Sequence, residues 1–391
     1  MNQYPAYTLK ELVFYFLKLG SIGFGGPVAL AGYMHKDLVE DRKWITEEEF
    51  REGLALAQLA PGPLAAQLGI YLGFVHYRFL GATLAGTAFV VPSFIMVVLL
   101  GVVYKVYGGL SWIQAVFYGV GAAVIGIIAL SSYKLAIKSI GKLNRESLRS
   151  KWMLWLFFIF AFVITYITEK EQVLLFISAG LLYMIFYAPP RWWNNKTVNS
   201  FSLLLFSAGF CNYENSTLSK MAVFFAEAGT FVFGSGLAIV PFLHSGIVVE
   251  NHWLTEQQFV DSVAVAMITP GPVVITVGFI GYLVSGFLGA LVAALATFLP
   301  CYLFTIAMAP SFKKIARNKP VKAFVEGITA AVVGALAGSV VVIAKRSIID
   351  LPTALMALAA VCALIYIKKI QEPFIIAVAA LLGIIIKLFC V

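Results

Sequence analysis

The chain has 391 residues, of which 61% are apolar and only 12% charged, and it carries a net charge of +9. Long charge-poor stretches recur from end to end, as lipid-spanning helices require, and nothing between them is long enough to fold a soluble domain. No nucleic-acid partner is expected, and with no Gly-rich phosphate loop the chain does not read as an ATP-driven pump.

In chain order the apolar pattern predicts spans near 11–33, 79–104, 110–133, 151–168 and 171–188. A more polar stretch, 189–219, follows and reads as a cytoplasmic linker. Spans are then predicted near 220–245, 286–309, 323–344, 351–367 and 374–390. No compact signal peptide opens the sequence, so the first span is expected to stay in the mature protein. Cys211, Cys301, Cys362 and Cys390 stand alone, without metal-type spacing. No metal or cofactor is expected.

Two further segments, 51–78 and 257–285, are interrupted by Pro-Gly-Pro. Each arm is about 10–13 residues, or about 15–20 Å of helix, too short for a hydrocarbon core of about 30 Å. Each segment is therefore a kinked span or a hairpin that turns back. Charge decides between them. The basic loops 134–151 and 311–322 should both face the cytoplasm, whereas 246–256 has no Lys or Arg and should face outward. An even number of crossings is then needed in 257–285, so the Pro-Gly-Pro segments are predicted to be re-entrant. The count gives ten spans with both termini outside.

The chain is also duplicated. Displaced by 209 residues, 14–70 falls on 223–279 with seventeen identities, among them Phe24-Gly25 on Phe233-Gly234 and His35 on His244. Trp44 falls on Trp253, Thr46-Glu47 on Thr255-Glu256, and Pro61-Gly62-Pro63 on Pro270-Gly271-Pro272. With one residue deleted, Pro92 meets Pro300 and Gly119 meets Gly327. Five crossings per copy turn the second copy upside down. The fold class is therefore an all-α polytopic membrane protein of two inverted-topology repeats, 1–188 and 220–391. Each repeat has five spans and a re-entrant Pro-Gly-Pro helical hairpin. In such folds the binding site lies where the repeats meet.

Four backbone breaks mark that meeting. Two lie in the first span of each copy, at Gly23-Phe24-Gly25-Gly26-Pro27 and Phe233-Gly234-Ser235-Gly236; two are the Pro-Gly-Pro tips. A break in a bilayer is costly unless it is buried in protein or lines a watery cavity. Helix ends exposed there offer amides that hold an oxyanion without a permanent cation. Candidate substrate-binding residues are Phe24, Gly25, Gly26, Pro27, Pro61, Gly62, Pro63 and Gln67, with Phe233, Gly234, Ser235, Thr269, Pro270, Gly271, Pro272 and Thr276. Gln67 aligns with Thr276, and each either bonds substrate or satisfies loose backbone groups. Lys18 and Glu227 also align, inside predicted spans, and are candidates for charge coupling. Either they pair across the pseudo-two-fold axis, or Lys18 helps attract an anion while Glu227 handles a proton, or both reach out to water. The Thr46 and Thr255 motifs read as capping boxes, and Trp44 and Trp253 suit the headgroup interface.

Phe-Gly-Gly-Pro near the end of a first span, a Trp-hydrophobic-Thr-Glu loop and then Ala-Pro-Gly-Pro, repeated in a second half, resembles the CHR family of chromate ion transporters. The resemblance covers essentially the whole chain in the long, two-repeat form. It implies a secondary transporter, not an enzyme, that exports chromate across the cytoplasmic (inner) membrane, with sulfate as analogue, and confers chromate resistance. The second copy departs from the pattern: Gly234-Ser235-Gly236 lacks the proline, and Thr269 replaces the alanine. Other readings are a passive anion channel and an uptake carrier for sulfate or another oxyanion. The lipid bilayer is the expected surrounding, and a homodimer is one assembly compatible with the chain.

Overall fold

The computed structural model describes residues 7–170, 172–189, 216–230, 232–234, 236–312, 318–367 and 372–389. The expected linker 189–219 therefore lies mostly outside the described residues, as does Ser235. The described chain is helical almost throughout, and four stretches are long and apolar enough to cross a membrane: Leu64–Tyr107, Ser111–Ser139, Val273–Met308 and Lys319–Ser347. We number the α-helices in order. The first copy holds α1 (Leu9–Ile22), α2 (Gly26–His35), α3 (Glu47–Leu59), α4 (Leu64–Tyr107), α5 (Ser111–Ser139), α6 (Arg145–Ser150), α7 (Trp152–Thr168) and α8 (Val173–Tyr187). The second holds α9 (Thr217–Thr230), α10 (Val240–His244), α11 (Glu256–Ile268), α12 (Thr276–Met308), α13 (Lys319–Ser347), α14 (Leu351–Tyr366) and α15 (Glu372–Phe389).

The predicted span 11–33 is not one helix. Gly25 and Gly26 take φ of 104° and 73°, left-handed values that L side chains avoid, and Pro27 then starts α2. The chain also comes back. Tyr7, just before α1, stacks on Trp44 beyond α2 at 4.7 Å between ring centroids. Both ends of 7–44 therefore lie on one face of the molecule, and the expected single crossing is corrected to a helical V. Its counterpart at 220–245 is likewise split, into α9, a 3-10 turn Gly236–Ile239 and α10. There Phe224 of α9 meets Trp253 at 5.8 Å.

In the first Pro-Gly-Pro segment the two arms touch. Gly53 on α3 abuts Tyr71 on α4, and the Tyr71 hydroxyl donates to Glu52 at 3.2 Å. The capping boxes form as read: Thr46 accepts from the Glu49 amide, and Thr255 from that of Gln258. α4 then folds sharply at Arg78, whose φ of 52° and ψ of −140° are not helical. A Cβ on Gly73 would stand 2.3 Å from the Gly81 carbonyl oxygen, so the chain doubles back there with only glycine between. The second copy repeats the device at Ser285-Gly286, where Gly281 meets Gly289.

The face bearing Tyr7, Trp44, Glu49 and His76 also carries Phe312, which joins the same apolar cluster. The opposite face gathers Lys170 with Glu250, 3.5 Å apart, Arg346 with Glu169 and Glu256, and Tyr118 with Asp350 at 2.6 Å. From Arg78 onward α4 runs from the first face to the second, and α12 beyond Gly286 runs the other way. The copies also exchange helices. α5 packs on α14 and α15, while α13 packs on α7 and α8. A Cβ on Gly119 would lie 2.0 Å from the Ala379 carbonyl oxygen, and one on Gly334 would lie 2.2 Å from that of Phe158. Small residues bring these backbones together, the usual device of helices packed in lipid.

Candidate functional site

The four breaks come together in pairs that cross between copies. Gly62 and Pro63 pair in parallel with Phe233 and Gly234, and the Gly62 amide donates to the Val232 carbonyl. The Gly271 amide donates to the Gly23 carbonyl at 2.8 Å. Under the 209-residue displacement these are the same hydrogen bond made twice, because 62 maps to 271 and 23 to 232. Each tip thus closes on the other copy's split helix, and the starts of α2, α4 and α12 converge there.

Both tip glycines have positive φ, 141° at Gly62 and 99° at Gly271. Each faces a side chain that the motifs did not single out. A Cβ on Gly271 would sit 2.0 Å from the Ser93 Oγ, and one on Gly62 would sit 3.0 Å from the Cys301 Cβ. Ser93 and Cys301 each follow the proline inside a long helix, Pro92 and Pro300, at the 208-residue displacement. That alignment was the available signal.

Gln67 is 0% exposed. Its Nε2 donates to the Pro61 carbonyl at 2.7 Å and braces the tip, leaving Oε1 buried with no partner among the described residues. The aligned Thr276 is also buried, but its hydroxyl donates to the Val273 carbonyl at 2.7 Å. Thr269 likewise donates to the Ala266 carbonyl at 3.0 Å. The half-sites differ in kind: the second copy's hydroxyls are spent on their own backbone, whereas the first copy retains an unused acceptor. Pro27, Pro63, Gly271 and Pro272 help enclose a cavity of about 10 Å³, room for about one water. Gly26 has open space where a Cβ would stand. A cleft of about 530 Å³ lies instead at the second face, lined by Trp253, Glu256 and Arg346 among others.

Lys18 and Glu227 are not brought together. Both are exposed, Lys18 on α1 and Glu227 on α9. The expected ion pair is not formed: the two side chains are exposed on separate helices. His35 and His244 instead repeat one contact, each 2.8 Å from the glutamate twelve residues on, Glu47 and Glu256.

An acidic pair was missed. Glu52 and Asp261 also align at 209 residues, one on each α3-type arm. Asp261 is 2% exposed and accepts from the Tyr104 hydroxyl at 2.6 Å and from Gln257 Nε2 at 2.8 Å. Tyr104 belongs to the first copy, so this contact too crosses between repeats.

No solved structure matches the chain. The chromate transporter family profile matches residues 10–185 and 219–384, one match per copy. The chain is 59% identical to the chromate transport protein of Cupriavidus metallidurans over 97% of its own length and 94% of the relative's. It is 54% identical to the probable chromate transport protein of Synechococcus elongatus, over 98% and 97% of the two lengths. A chromate transport protein of Pseudomonas aeruginosa shares 26% identity over 87% of this chain and 82% of its own. With two interlocked copies of one membrane-helical unit, and a match in each, the chain belongs to the chromate transporter family.

Proposed function

We propose that this protein is a secondary transporter that exports chromate across the cytoplasmic membrane, with sulfate as a chemical analogue. The oxyanion is held at the helix ends where the two tips close on the two split helices. The observation that carries this reading is the twofold hydrogen bond from Gly62 to Val232 and from Gly271 to Gly23. It supports a site shared by the copies, lined by amides and, among the described residues, free of fixed cations, which suits a dianion. The cavity between the tips is too small for a tetrahedral oxyanion, so transport requires the tips to separate from their partners and re-form behind the substrate. Inversion supplies the two directions of opening.

In this reading four hairpins are re-entrant: the two Vs, 7–44 and 217–253, and the two Pro-Gly-Pro segments. Eight described helical stretches cross: α5, α7, α8, α13, α14, α15 and the longer parts of α4 and α12. The face bearing Trp44, His76 and Phe312 is cytoplasmic, because the basic stretches ending α5 and opening α13 lie at that end. The start of α1 is then cytoplasmic too and that of α9 is outside, which revises the expectations of both termini outside and of a linker 189–219 that is cytoplasmic to its end. Moving one charge through 100 mV is worth about 2.3 kcal/mol, so a dianion leaving a negative interior gains roughly twice that. Export needs no ATP on electrical grounds.

The test is uptake of radiolabelled chromate into inverted vesicles, whose outer surface is the cytoplasmic one. Saturable uptake that competes with sulfate and collapses with the membrane potential is expected. Uptake that never saturates would make the protein a passive anion channel instead, and uptake only in right-side-out vesicles would make it an importer.

A further inference from the structure

We propose that Asp261 is a proton-binding site whose occupancy is coupled to that of the oxyanion, making the protein a proton-linked carrier; this rests on the transport reading above. Asp261 stands on α11 eight residues before Thr269 at the second tip, about 12 Å along the helix axis. It is 2% exposed, and its carboxylate meets Tyr104 of the other copy and Gln257 of its own helix. Both donors are neutral.

Several titratable groups on the elements packed around α11 are bound elsewhere. Arg346 of α13 and His244 of α10 are bound to Glu256, five residues earlier on the helix. Glu250 of the neighbouring turn is paired with Lys170, and on α5 Tyr118 bonds Asp350. Lys105 of α4, Glu372 and Lys387 of α15 and Tyr282 of α12 form no ion pair or hydrogen bond to Asp261. Among the described residues no cation reaches it. A buried carboxylate without a cation favours its neutral form, and one or two neutral donors do not fully replace the lost water.

The coupling follows from charge. A dianion at the tips disfavours a second negative charge nearby in a medium of low dielectric constant, so oxyanion and proton bind together rather than in competition. By linkage the effect is reciprocal: protonation tightens the oxyanion site by the same factor. The contact with Tyr104 gives the proton a mechanical consequence. A neutral Asp261 can keep its bond to α4 of the other copy as acceptor or as donor, whereas a charged one is an acceptor only. The seam between the repeats therefore senses the proton. The aligned Glu52, with the Tyr71 hydroxyl at 3.2 Å, occupies the equivalent place toward the other face.

Two measurements test this. Purified protein in lightly buffered detergent, at alkaline pH where chromate is fully the dianion, should take up protons when chromate is added, and D261N should take up none. In proteoliposomes the chromate KM of the wild type should rise with pH, that of D261N should stay flat, and D261E should restore the slope. Substrate protonation is common to all three proteins and cancels in the comparison. Equal proton uptake by the wild type and D261N, or parallel pH slopes in flux, would overturn the proton site while leaving transport intact. If the wild type moves no chromate at all, the transport reading falls, and this proposal with it.

Discussion

The amide of Gly271 donates to the carbonyl of Gly23 at 2.8 Å, joining the second copy's hairpin tip to the first copy's split helix. Both partners exist because a helix was broken: the amide is free at the tip, and the carbonyl is free where α1 stops. In lipid neither could be left without a partner, so each copy completes the other. A single copy would expose both.

The first prediction follows from those tips. Gly271→Val places a branched side chain at a φ of 99°, against a Ser93 Oγ that a bare Cβ already approaches to 2.0 Å. Backbone strain of this kind costs about 1–3 kcal/mol before the clash is added. Gly62→Val meets Gln67 Nε2 at 2.6 Å. Each variant should insert into the membrane and lose chromate flux, measured in inverted vesicles at matched expression. Normal flux from either one would mean that its tip is scaffold only.

The second prediction concerns sidedness. In a background lacking the native cysteines, single cysteines at Ser147 and Asn318 should be shielded from an impermeant thiol reagent in intact cells, and one at Asn251 should react. A cysteine replacing Thr8 should be shielded with the first two, because Tyr7 stacks on Trp44. One at Thr217 should label with Asn251, because α9 leads back to Trp253. Labelling of Thr8 from outside would restore a full crossing by 11–33 and discard the helical V.

Much of this was legible from the displacement of 209 residues. The four breaks and the capping boxes repeat, and repetition is what separates a required glycine from an incidental one. Two things were not legible. The return of α2 toward the start of α1 depends on the left-handed pair Gly25-Gly26, and apolar run length does not distinguish a helix that crosses from two that fold back. Lys18 and Glu227 do not pair because alignment between two copies does not imply contact, and both lie exposed, on α1 and α9. Asp261 was visible as the partner of Glu52, but its burial was not. Only the packing of α4 against α11 shows that.

The third prediction is a pH dependence at the second face. Burial alone would raise the Glu256 carboxyl, but its hydrogen bonds to His244 and Arg346 outweigh that and hold it below the ordinary carboxylate range. A group held lower in the folded state contributes stability above its unfolded pKa and loses it as pH falls through the folded value. Glu256→Gln should therefore lower the unfolding temperature of detergent-solubilised protein at neutral pH. The cost, for a half-buried pair screened by solvent, is about 1 kcal/mol. The gap from the wild type should close in acid. A gap that is constant with pH would show that shape, and not charge, is what the glutamate supplies.

The last prediction weighs the two half-sites against each other. Gln67 and Thr276 align and are equally buried, yet only Gln67 holds its tip through a side-chain bond to Pro61 and keeps an acceptor in reserve. Gln67→Leu leaves the Pro61 carbonyl bare, which costs about 1–3 kcal/mol at a buried polar group. Each 1.4 kcal/mol is about tenfold in affinity where the tip must be in place to bind. Thr276→Val removes a hydroxyl that serves only Val273, one turn away. Chromate KM should accordingly rise about tenfold or more in Gln67→Leu and change little in Thr276→Val. Gln67→Glu sharpens the contrast, since a carboxylate beside the dianion is repelled where a neutral amide is not. Its flux should be lost at alkaline pH and recover in part as the medium is acidified. A larger defect in Thr276→Val than in Gln67→Leu would place the weight of binding on the second tip, and the brace from Gln67 to Pro61 would then have no part in holding substrate.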